Sequence, residues 1–227
     1  MSGTTWIADA GGQGTNIPGA ATRVDDNLAL RASLRPLDYL RSGGGFYRQA
    51  VKTGTLATIA ADGPIFSMRW TNATLACAIL KLKVRWTVVA YTSAILASVS
   101  AYTARAFTVA DSGGTDVTPA TKMQMKRTSM PDSVLTKMLI SATAVVTAGT
   151  RTLDTNPFAN WNGWASAAGI QSPVDATDIF DNALEYPILL AANEGIVIQN
   201  DTALSSNVSL SVAIEVAWAE IDPLVIL

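Results

Sequence analysis

Large apolar residues fall on alternate positions through most of this chain from Phe46 onward. In Phe66-Ser67-Met68-Arg69-Trp70 they take the even numbers. In Leu80-Lys81-Leu82-Lys83-Val84-Arg85-Trp86-Thr87-Val88 the even positions are apolar and the odd ones polar for nine residues. Val208 to Trp218 keeps its large apolar side chains on even positions for eleven. Successive side chains of a strand point to opposite faces, so alternation of this length predicts strands with one face inward and the other toward solvent or a partner. Further strands are predicted at Thr55–Ala60, Arg105–Val109, Lys122–Lys126, Lys137–Thr147, Pro187–Leu190 and Gly195–Gln199. Asp62-Gly63-Pro64, Asp111-Ser112-Gly113-Gly114, Asn193-Glu194-Gly195 and Asn200-Asp201 supply turns between them. Val89–Ala104 is ambiguous, and part of it fits either a short helix or a loop crossing between sheets. Eight or nine short strands with little helical period predict an all-β fold, an antiparallel β-sandwich of jelly-roll type.

Residues 1–45 do not share this pattern. Gly11-Gly12-Gln13-Gly14 and Ser42-Gly43-Gly44-Gly45 bracket short apolar pieces, and Arg31-Ala32-Ser33-Leu34-Arg35-Pro36 is broken by proline. The expected organisation is an extended N-terminal arm over 1–45 and a sandwich domain over 46–227. A short helix near Asp25–Leu34, capped by Asp25 or Asp26, fits within the arm. Arms of this kind lie along a neighbouring surface or stay mobile.

Composition narrows the picture. A chain of 227 residues can bury roughly 70–75% of its unfolded surface in a single core. Charged residues make up only 15%, which disfavours disorder and leaves little charge to hold neighbouring copies apart. Cys77 is alone, so no intrachain disulfide forms, and Leu-Ala-Cys-Ala-Ile marks it as a small buried apolar residue. Met1–Gly14 has neither the basic start nor the apolar run of a signal peptide, and Trp86–Ala104 is too broken by Thr, Ser and Tyr for a good membrane span. The chain therefore reads as a soluble product of a cytoplasm. Histidine is absent, which removes the commonest general base and transition-metal ligand.

The net charge of −2 hides a segregation: all 16 basic residues lie between Arg23 and Arg151, while residues 152–227 carry Asp and Glu without Lys or Arg. Two readings stay open. Lys81, Lys83 and Arg85 can be cross-strand neighbours of Glu215, with Glu220 beyond, at roughly 0.2–1 kcal/mol per pair. Alternatively, the odd-numbered faces of these strands meet different subunits.

Candidate chemistry is thin. Asp111 and Asp116, around Gly113-Gly114, offer too few oxygens for calcium and read as a hairpin turn. Asp175, Asp178 and Asp181 recur every three residues, a spacing that suits a pair of glycosidase carboxylates and equally a solvated turn. Asn156-Pro-Phe-Ala-Asn-Trp161-Asn-Gly-Trp164 suits sugar stacking, or a loop anchored by two tryptophans at an interface. Lys81, Lys83 and Arg85 are too few for a nucleic-acid footprint. No catalytic constellation, metal site or cofactor motif emerges, so the expectation is a protein that is not an enzyme and needs no cofactor.

Three stretches together resemble a known group. They are Tyr47–Trp70, Ala106–Thr115 continuing to Ala148–Asp154, and Tyr186–Ile198 closed by Val216–Glu220. Their succession, over about residues 46–222, is similar to tailed-bacteriophage proteins encoded among virion genes. The resemblance implies a virion component made in the host bacterial cytoplasm, and it brings no catalytic residues. The leading expectation is a capsid decoration or cement protein on the capsid surface. It would be a homotrimer holding the major capsid protein through its arm, without sequence-specific nucleic acid or a membrane. Arg31, Arg35, Arg41, Arg48, Trp161 and Trp164 are the expected interface residues. A head-to-tail junction or tail-fibre-base protein is the alternative, and a carbohydrate-binding host-recognition module a further one.

Overall fold

The computed structural model describes residues 45–119, 131–165 and 187–222, all within one compact unit spanning Pro36–Leu227. The alternating segments form strands, and every ladder between them is antiparallel. They are β1 (Phe46–Lys52), β2 (Leu56–Ile59), β3 (Gly63–Trp70), β4 (Ala76–Tyr91), β5 (Ile95–Val109), β6 (Thr115–Asp116), β7 (Lys137–Ile140), β8 (Thr150–Leu153), β9 (Ala159–Ala165), β10 (Ile188–Leu190), β11 (Glu194–Asn200) and β12 (Leu204–Ile221).

Two sheets result. The five-stranded sheet runs β1–β12–β4–β10, with β2 continuing β1 along the same edge of β12. The seven-stranded sheet runs β6–β7–β3–β11–β5–β8, with β9 beside β8 along β5. The pairing is nested: β1/β2 with β12, β3 with β11, β4 with β10, and β5 with β8/β9. Strands from the beginning of the chain therefore lie beside strands from its end. The β6–β7 excursion adds to the outer edge of β3.

The core lies between the sheets. Leu82, Val84, Trp86 and Val88 of β4 and Val212, Ile214, Val216 and Trp218 of β12 meet Phe66, Met68 and Trp70 of β3 and Ile196 and Ile198 of β11 in one buried cluster. The alternation predicted these inward faces, with one exception. Leu80 should point inward by parity, but the register shifts between Ala217 and Trp218, so that Trp218 pairs with Ile79 and Ala217 with Lys81. A β-bulge puts an extra residue on one strand. Cys77 and Ile79 then face the core, while Leu80 joins Phe46, Ala78, Ala219 and Ile221 in a second apolar cluster.

Other expectations are corrected. Val89–Ala104 contains no helix: it holds the end of β4, a short bend at Thr92–Ser93 and most of β5. That bend crosses from one sheet to the other, so the crossing is far shorter than the stretch. Its small residues give little hydropathy contrast, which hides the period. The strand expected over Lys137–Thr147 stops at Ile140, just after a last rung in which the Ser141 amide donates to the Ile65 carbonyl. Lys122–Lys126 lies outside the described residues. Asp62 and Asn193, in two of the predicted turns, have left-handed φ of 59° and 63°, a conformation Asp and Asn tolerate.

Candidate functional site

The two outer sheet faces differ in chemistry. On the five-stranded sheet, the outward residues of β1 are Arg48, Ala50 and Lys52, those of β12 Ala213, Glu215 and Ala217, and those of β4 Lys81, Lys83 and Arg85. The register sets Lys83 opposite Glu215, and places Lys52 and Arg85 on either side of Ala213. Glu215 lies 2.6 Å from Arg48 Nη2 and 3.8 Å from Lys81 Nζ. Among the described residues, this patch holds five cations around one carboxylate. Crowding is felt at Lys83, whose ammonium is held below its ordinary pKa by reduced hydration and by Lys81 and Arg85, with Glu215 opposing. Small alanines leave the middle row low, so the charged ends stand out from the surface.

The outer face of the seven-stranded sheet is polar and aromatic. Trp164, at the edge in β9, is 65% exposed and sits opposite the exposed Leu96 of β5. Asn162 pairs with Ser98 and Asn160 with Ser100 in the next two rows. Asp201, at the end of β11, reaches over them: its Oδ2 accepts from Ser98 Oγ at 2.6 Å, Ser100 Oγ at 2.6 Å and Asn160 Nδ2 at 3.0 Å. Asn162 Nδ2 in turn donates to Asn160 Oδ1. Beside this network, burial and then Asp201 raise the Tyr102 phenol above its usual pKa. Further along the face, Phe107 packs between two guanidinium groups, Arg69 at 5.8 Å and Arg151 at 5.4 Å from its ring centre. Arg151 is itself paired with Asp111 in a buried contact.

A third polar group is internal. Glu220, paired with Cys77 across β12 and β4, accepts from Ser133 Oγ at 2.6 Å, the Val134 amide at 3.1 Å and the Trp218 indole at 3.3 Å. Burial raises its carboxyl above 4.5 despite those bonds. It also pushes up the Cys77 thiol, which keeps that cysteine un-ionised and unreactive. The Tyr47 phenol, stacked on Trp218 at 5.5 Å, donates to the Pro131 carbonyl at 3.0 Å. These groups fasten residues 131–134 to the sandwich and have no route to solvent chemistry. The basic strand and the C-terminal strand are cross-strand neighbours as the sequence suggested, but Glu220 pairs with Cys77 and faces inward, away from Lys81, Lys83 and Arg85.

The expected site residues separate. Arg48 is exposed on the basic face with Glu215 as its in-chain partner. Trp161 is 7% exposed and belongs to the core, because two strand residues an odd number apart point to opposite faces. Only Trp164 remains as a surface aromatic there, on a strand rather than the expected loop. Arg31, Arg35 and Arg41 lie outside the described residues, as do Asp175, Asp178 and Asp181. Asp111 and Asp116 point to separate partners, Arg151 and Lys137, as a turn requires and a shared ion does not. Sequence reasoning gives Asp201 only as part of a turn and does not single out Ser98, Ser100 or Lys52, although Ser98-Val-Ser100-Ala-Tyr102 and Arg48-Gln-Ala-Val-Lys52 both alternate. Among the described residues no group of three His, Cys, Asp or Glu is placed to hold a metal ion. No protein-family model matches the chain, and no curated protein matches it.

Proposed function

We propose that this protein is a structural component of a bacteriophage virion, a decoration or cement protein that binds the major capsid protein and stabilises the head. The observation that carries the reading is the basic face: Arg48, Lys52, Lys81, Lys83 and Arg85 around the single Glu215. A cationic sheet face is suited to an acidic protein surface, where charge complementarity sets register and speeds encounter. Nested pairing of the strands supports a jelly-roll sandwich, an architecture used by viral capsid and lectin domains. The resemblance of residues 46–222 to virion proteins points the same way. Repetition over a shell, with each copy a trimer, lets individually weak contacts hold together.

Quantitative mass spectrometry of purified particles tests this by copy number. A fixed large fraction of the major capsid protein count supports a shell-covering role. About a dozen copies moves the protein to the head-to-tail junction or tail, and absence from particles rejects a virion role. A chain starting at Phe46 should bind particles more weakly than the whole chain. Equal binding removes the arm from the mechanism.

A further inference from the structure

We propose that the outer face of the seven-stranded sheet around Trp164 binds a neutral carbohydrate, with one pyranose ring stacked on the indole. The proposal rests on the geometry of this face and is independent of the virion reading. A pyranose offers an apolar face of C–H groups rimmed by hydroxyls. Its receptor therefore needs a flat exposed aromatic beside fixed planar hydrogen-bonding groups.

Both are present in adjoining rows. Trp164 gives the platform at 65% exposure, widened by Leu96 opposite it. Asn162 follows two residues earlier on the same face of β9, about 7 Å along the strand. Its amide is held by Asn160, which Ser100 Oγ accepts at 2.6 Å and Asp201 Oδ2 at 3.0 Å. Ser98 and Ser100, buried beneath, anchor Asp201 from below. These bonds use Asp201 Oδ2 and Asn162 Nδ2, leaving Asp201 Oδ1 and Asn162 Oδ1 as acceptors for sugar hydroxyls. Side chains already locked by one another lose little freedom when a ligand arrives, which favours binding.

Competing occupants fit less well. A stable protein interface buries about 800 Å² per partner around an apolar centre, whereas one indole supplies at most about 250 Å². Apart from Leu96, the rows next to it are polar. A nucleic acid stacked on Trp164 would bring its phosphates toward Asp201, and this patch holds no Lys or Arg among the described residues. The same carboxylate disfavours acidic sugars, so the ligand class is neutral.

The test applies the full-length protein to an array of neutral oligosaccharides of glucose, galactose, mannose and rhamnose, then titrates the strongest binder by calorimetry. Binding to at least one is expected, falling at least tenfold in Trp164→Ala and severalfold in Asn162→Ala. Val89→Thr, an exposed position on the other sheet, should leave it unchanged. Silence across the array overturns the proposal, as does binding indifferent to Trp164→Ala. A change in sedimentation mass on Trp164→Ala also overturns it, because the indole would then be a contact between copies. Copy number in particles is unaffected by any of these outcomes, so this failure stays distinct from failure of the virion reading.

Discussion

Glu220 brings a carboxylate into the interior of the sandwich, and the partners described for it are neutral donors: Ser133, Val134 and Trp218. Desolvation outweighs those bonds, so its folded pKa lies above the ordinary 4.5. A group of this kind contributes stability that is fully present below its unfolded pKa and is lost as pH rises through the folded one. Glu220→Gln mimics the protonated form at every pH. The melting temperature of Glu220→Gln minus that of the wild-type chain should therefore grow as pH rises from about 4.5 toward neutrality. Thermal melts of both proteins across that range check it. A difference that stays flat would mean the carboxylate is not paying for its burial as a charge. Asp116 behaves in the opposite sense. Desolvation pushes it up, but Lys137 and two bonds from Thr118 outweigh this and hold it at about 2. Its contribution is present above its ordinary value of 3.8 and disappears as pH falls toward 2. It is therefore already in place throughout the range in which Glu220 is tested.

At the scale of the element, the break between β1 and β2 is closed by one side chain. Thr53 Oγ1 accepts the Val212 amide at 2.9 Å, while the Thr53 amide donates to the Val212 carbonyl at 2.8 Å. Thr53→Val keeps the shape and removes the acceptor, leaving a buried N–H on the long strand β12 without it. A cost of about 1–3 kcal/mol follows, read as a lower denaturant midpoint at unchanged slope. Thr53→Ser should retain most of the stability. The same elements indicate what was legible in the sequence. β3, β4 and β12 declared themselves because large apolar and charged residues alternate in them. β5 did so only over Arg105–Val109, since Ala, Ser and Thr occupy both faces of its longer first part. The bulge that turns Leu80 outward leaves no mark on composition, since it arises where two registers must be reconciled across a pair of strands. Reading Asn156–Trp164 as a loop also cost the face assignment. Once β9 is a strand, Trp161 and Trp164 must part, and the amides between them line up beside Trp164.

Over the whole molecule, nested pairing explains why charge segregated in sequence becomes mixed in space. Early strands lie beside late ones, so Arg48 and Lys81 meet Glu215, and Arg105 meets Asp154 at 2.9 Å and Glu194 at 2.6 Å. The in-chain reading of the charge split accounts for these contacts. Among the described residues it does not account for Lys52 and Arg85, which stand on either side of Ala213 facing solvent. A fold needing only internal pairing has no use for two more cations on this face, one of which, Arg85, helps to crowd the Lys83 ammonium. Their place on the surface is understandable if an acidic partner covers the face. Reversing both, Lys52→Glu with Arg85→Glu, leaves Arg48, Lys81 and Glu215 intact and cancels the excess charge of the patch. Because both sites are exposed, stability should change by no more than about 0.5 kcal/mol. Binding to particles at low salt should fall at least tenfold, and its dependence on salt should flatten, since fewer opposite charges remain to be screened. A doubly reversed protein that binds as tightly as before, with the same salt dependence, would remove the basic face from the interface. Docking would then have to rest on apolar contacts or on the arm.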